Sequence, residues 1–81
     1  MQCDDHDYIE IVCMYRYVIE LTLTNGDKRQ GQALDTKRNE LHQECIHIKQ
    51  ADTDDLVVLD SIQEMQVLTK NPHITQVKFR D

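Results

Sequence analysis

The sequence predicts an α+β domain: one amphipathic N-terminal helix packed on a small, strongly bent antiparallel barrel or sandwich of about five or six short strands. Three observations carry that expectation. The opening stretch repeats its apolar residues at helical spacing. Beyond Met14 the period falls to two, in short runs separated by turn residues. The chain is 81 residues long, which is one domain (1–81) with a modest core and no room for a deep cleft in a second domain.

The helix is expected over about residues 4–14, within CDDHDYIEIVC. Asp4 is a suitable N-cap, and Asp7 three residues later resembles a shortened capping box. Asp5 and Asp7 lie where the helix dipole favours negative charge. At about 100° per residue, Tyr8, Ile9, Val12 and Cys13 gather on one side. His6, Asp7 and Glu10 turn to the other, so the outward face is acidic.

The strands follow over about residues 15–80. In YRYVIELTLT, Tyr17, Ile19, Leu21 and Leu23 alternate with Val18, Glu20, Thr22 and Thr24, as in a half-buried strand. Asn25-Gly26 is a strong hairpin signal. The next strand, KRQGQALD, contains Gly31, which allows a sharp bend. TKRNEL (36–41) reads as a polar connection, and ECIHIKQ alternates through Ile46 and Ile48. ADTDD (51–55) reads as an acidic turn and LVVLD as a short buried strand. A further strand is expected from about Glu64, then a break at KNPHI, then an edge strand in TQVKFR.

Fifteen acidic residues against nine basic ones give a net charge of −6. That opposes binding to phosphate backbones and suits a basic partner. Three cysteines at irregular spacing do not form a disulfide framework and point to a reducing compartment. No apolar run reaches the length of a membrane span, and the N-terminus lacks signal-peptide patterning. A soluble, cytoplasmic protein without a membrane partner is expected.

Enzymatic and metal chemistry find little support in the residues. Acid–base catalysis by the Asp4/Asp5/Asp7/Glu10 block needs a pocket that an exposed helix does not supply. Cys3 with His6, and His42 with Cys45 and His47, offer ligand types without the paired spacing of a zinc site. No metal or cofactor is expected, and Cys13 reads as a small hydrophobe packing the helix. The basic pairs Lys28–Arg29 and Lys37–Arg38 lack the interleaved aromatics of an RNA-binding stripe and read as hairpin-tip solubility. Asp52, Asp54, Asp55, Asp60 and Glu64 form a second acidic run that turn chemistry accounts for.

NGDKRQGQALDTKRNEL, with a hairpin turn, a mid-strand Gly and then Asp, resembles the first motif of the Sm-like fold. CDDHDYIEIVC followed by IELTLTNGDKRQGQALD resembles the bacterial Rho-binding antiterminators, or Rof family, and the similarity runs into LVVLDSIQEMQVLTKNPHI. His6 stands where that family often has Tyr. The resemblance implies a non-enzymatic inhibitor that binds the RNA-binding N-terminal region of Rho, the hexameric termination helicase, and blocks RNA loading. Rho as protein partner is implied by the same resemblance, and no direct nucleic acid contact and a monomeric free state are expected. The contact residues expected on that basis are Asp7 and Glu10, helped by Asp4, Asp5 and His6, with Lys37, Arg38 and Asn39 at the rim. An Sm-like RNA-binding protein and an acidic adaptor for another basic protein are the alternatives.

Overall fold

The computed structural model describes residues 3–72 and 74–79, with side chains from residue 6 onward. Helix α1 (Cys3–Met14) precedes strands β1 (Val18–Leu23), β2 (Lys28–Arg38), β3 (Glu44–Gln50) and β4 (Thr53–Val58). A turn of 3₁₀-helix (Leu59–Ser61), β5 (Ile62–Val67) and β6 (Gln76–Lys78) follow. The strands form one six-stranded sheet in the order β4-β3-β2-β1-β5-β6, antiparallel throughout. This is the expected α+β architecture, a helix on a bent antiparallel sheet.

β1 occupies an inner position because its alternation is the cleanest in the chain. Ile19, Leu21 and Leu23 are buried while Val18, Glu20 and Thr22 are partly exposed. They join Ile9 and Val12 of α1, Ile46 and Ile48 of β3, and Ile62 and Met65 of β5 in a single apolar cluster. The helix face holds as expected for Ile9, Val12 and Cys13, but Tyr8 is 39% exposed. Tyr8 lies at the margin of the stripe, and its hydroxyl gains from water what a small core cannot supply.

The β1–β2 hairpin turns where Asn-Gly places it. Gly26 takes a φ of 94°, a left-handed conformation open to glycine at little cost. The Asn25 Oδ1 accepts the Asp27 N–H at 2.9 Å, and Gly26 N–H donates to the Leu23 carbonyl at 2.9 Å.

Several boundaries differ from the sequence expectation. α1 already includes Cys3, so Asp4 lies inside the first turn rather than at the cap; its side chain is outside the described atoms. Thr36, Lys37 and Arg38 are strand rather than connection, pairing with Ile46, Cys45 and Glu44. Backbone pairing continues past the end of the core because solvated polar side chains do not oppose it. Thr53, Asp54 and Asp55 likewise belong to β4, leaving Ala51 and Asp52 as the turn. β4 is an edge strand, with Val57 buried and Leu56 exposed, so LVVLD is not buried throughout. Its aspartates are common edge chemistry, since charge discourages further strand addition. β5 begins at Ile62, two residues before the expected Glu64. The final strand does lie at an edge, over Gln76–Lys78. His73 of the expected break and Arg80 of the expected edge strand lie outside the described residues.

His47 explains a polar position inside β3. Its Nδ1 lies 3.1 Å from Asp35 of β2 and its Nε2 lies 3.1 Å from Asp54 of β4. One ring thus ties three adjacent strands on their solvent side.

The ladder is irregular where β2 pairs with β3. The β2–β3 register shifts between Ala33 and Asp35, and Gly31 is buried just before that shift. A Cβ at Gly31 would sit 2.8 Å from the Lys49 carbonyl oxygen, a backbone atom that yields only if the strand moves. Gly31→Ala should therefore destabilise the domain by roughly 1–3 kcal/mol through overpacking. A thermal melt indistinguishable from wild type would show that the strands separate freely there.

Candidate functional site

The residues expected at an interface fall on two neighbouring pieces, α1 and the β2–β3 hairpin. Asp7 and Glu10 are exposed on α1, one turn apart, and neither forms an ion pair among the described residues. The side chains of Asp4 and Asp5 lie outside the described atoms, although both residues belong to the helix. Beside the acidic positions, Tyr8, Met14 and Tyr15 are exposed, and Tyr15 stacks on buried Tyr17 with ring centroids 5.4 Å apart.

The hairpin is built by Asn39. Its Oδ1 accepts the N–H groups of Leu41 at 2.9 Å and Gln43 at 3.0 Å, and its Nδ2 donates to Gln43 Oε1 at 2.9 Å. His42, with φ 63°, closes the turn by donating its N–H to the Asn39 carbonyl at 2.9 Å. Asn39 is thus committed to holding the turn, with its side chain turned inward on its own loop. Lys37 is exposed and unpaired among the described residues. Arg38 is fixed: Nη1 donates to the His42 carbonyl at 2.9 Å and Nη2 lies 3.5 Å from Glu44 Oε1.

Glu44 joins the two pieces. Its other oxygen lies 3.4 Å from His6 Nε2 on α1. A polar cleft of about 340 Å³ opens at this junction, lined by His6, His42, Glu44, Leu59 and Asp60 among others. Glu44 was not among the sequence-expected site residues. It reads as one more polar residue at a strand start, and only the fold carries it to His6. Leu41 and Leu56, 76% and 45% exposed, flank the other side of Arg38 and border a shallow depression with Asn39. Leu41 was visible in sequence as the lone large apolar residue in TKRNELHQ.

The Cys3 side chain, considered as a metal ligand with His6, lies outside the described atoms. Cys45 is fully buried and its Sγ donates to the Gln43 carbonyl at 3.5 Å; burial raises its pKa. His47 is occupied by Asp35 and Asp54, and His42 sits exposed on the turn. Among the described residues, no three His, Cys, Asp or Glu side chains are arranged to hold a metal ion. Cys13 packs as a small hydrophobe, and burial pushes its thiol up to about 11. Among the described residues, no helix is long and apolar enough to cross a membrane.

Comparison with known proteins decides among the families that such a domain fits. Residues 1–79 match the model of the family described as modulator of Rho-dependent transcription termination, Rof. The chain belongs to the Rof family. Its fold agrees with that of a solved structure described as YaeO bound to magnesium, from Vibrio cholerae O395. The two superpose with a TM-score of 0.88 at 34% identity, over 91% of this chain and 96% of the other. No curated protein matches. The Rof family modulates Rho-dependent termination, a regulatory role.

Two outcomes follow from the local chemistry. Asn39→Ala should cost roughly 1 kcal/mol, because two backbone N–H groups lose their shared acceptor, with amide exchange quickening at Leu41 and Gln43; unchanged exchange would place the turn's stability elsewhere. The Cys13 thiol, ordinarily ionising at 9.0, is held protonated up to about 11 in the fold. Its contribution to stability is complete below the lower value and is lost as pH climbs through the upper one. Urea titrations of wild type and Cys13→Ala from pH 8 to 11 test this, both falling as other groups ionise but wild type falling more steeply; parallel lines would remove Cys13 from the alkaline transition.

Proposed function

We propose that this protein binds the RNA-binding N-terminal region of the Rho hexamer through the acidic outer face of α1 and prevents RNA from loading. The observation that carries the reading is the exposed Asp7–Glu10 pair, without an ion-pair partner among the described residues, in a chain whose family modulates Rho-dependent termination. A surface that holds RNA is basic, because positive charge supplies most of the affinity for phosphates. A competitor of that surface carries the opposite charge, and the net charge here is −6. Asp4, Asp5 and His6 belong to the same helix and assist, and Lys37 and Arg38 lie at the rim. Asn39 contributes by shaping the hairpin that presents them. The protein acts by occupying a site rather than by catalysis, as a cytoplasmic monomer that itself takes no RNA.

The test is a double variant, Asp7→Asn with Glu10→Gln, which keeps size and hydrogen-bonding capacity while removing two charges. Stability should change by less than about 0.5 kcal/mol, since both residues are exposed. Binding to Rho should weaken by roughly 2 kcal/mol or more, because charges desolvated against Lys or Arg are costly to remove. In a Rho termination assay the variant should release termination from inhibition. A folded variant that inhibits at wild-type concentrations would exclude α1 as the binding surface. Wild-type affinity should also fall steeply as salt rises toward ~1 M, where screening acts within ~3 Å; an affinity indifferent to salt would assign the interface to apolar contact. Recovery of Rho from lysate after nuclease treatment separates protein contact from capture through RNA.

A further inference from the structure

We propose that Glu44 is a positioning residue that fixes α1 and the β2–β3 hairpin as one recognition surface; the proposal rests on the Rho-binding reading for its partner. The two pieces are distant in sequence, and their exposed side chains are long. Glu44, the first residue of β3, reaches both at once. One carboxylate oxygen lies 3.4 Å from His6 on the helix and the other 3.5 Å from Arg38 at the end of β2. Arg38 is pinned a second time by the His42 carbonyl at 2.9 Å. Among the described residues, His6 has no polar partner besides Glu44.

The arrangement is poorly explained as a device for stability. The side chains of His6 and Glu44 are 36% and 46% exposed, and that of Arg38 is 61% exposed. Ion pairs so open to water contribute little to folding. Their effect lies in geometry. A partner that meets helix and hairpin together must otherwise immobilise His6 and Arg38 during association, and ordering rotamer-rich side chains weakens binding. Glu44 orders them beforehand. The span sets the required length: glutamate reaches both partners, whereas aspartate, one methylene shorter, keeps the charge but reaches only one.

That difference separates positioning from simple charge. Wild type, Glu44→Asp and Glu44→Gln are compared as full chains by thermal melting, by NMR of the His6 ring and Arg38 side-chain N–H signals without partner, and by affinity for purified Rho. Both variants should melt as wild type, displace the signals of at least one of His6 and Arg38, and bind Rho roughly fivefold to tenfold more weakly. An aspartate variant that binds as wild type while the glutamine variant is weakened would overturn the proposal in favour of charge alone. Unmoved His6 and Arg38 signals in both variants would overturn it whatever the affinities. A wild-type chain that does not bind Rho refutes the function proposed above, and the free-protein signals then decide Glu44 alone, displaced signals upholding its positioning role.

Discussion

One apolar cluster holds this domain together, and the arrangement of every exposed feature depends on it. A chain of this length has surface enough for a single core, and it builds that core from Ile9 and Val12 of the helix, alternate residues of β1 and β3, and Ile62, Met65 and Val67 of β5. Because Ile9 and Val12 fix the rotation of α1, Asp7 and Glu10 face water. Because Ile46 and Ile48 fix the register of β3, Glu44 arrives beside the helix and His47 between two carboxylates. A slip of one residue in β3 would exchange the faces and dismantle both arrangements.

The parts of the fold legible in the sequence are those where the period and the turn chemistry agree. Alternation from Tyr17 to Leu23 and the Asn-Gly turn placed β1 and its hairpin, and the helical spacing of Ile9, Val12 and Cys13 placed α1. Composition misled where polar residues continue a strand. Thr36–Arg38 and Thr53–Asp55 resemble loops because nothing on them packs, yet their backbones pair with β3. Sheet edges and hairpin ends are where hydrogen bonding outlasts burial.

The site was legible in part. Exposure of Asp7 and Glu10 followed directly from the helical period. Asn39 and Glu44 show what the period cannot carry. Asn39, expected at the rim of a contact surface, also holds a turn, and a short amide that accepts its neighbours' N–H groups looks the same in sequence as one that meets a partner. Glu44 depends on a meeting between the first helix and the third strand, which no local pattern encodes.

The β1–β2 turn has a chemical consequence of its own. Asn-Gly is a dipeptide that ages: when the glycine nitrogen attacks the asparagine side chain, ammonia is lost and a cyclic imide opens to aspartate or isoaspartate. In the folded hairpin that nitrogen is engaged, donating its proton to the Leu23 carbonyl at 2.9 Å, while the Asn25 amide oxygen is held by Asp27. The attack requires the nitrogen to be freed and the Asn25 side chain to swing toward it. Folding therefore protects the bond covalently as well as conformationally, and the time the chain spends with this hairpin open governs how quickly it accumulates damage that refolding cannot reverse.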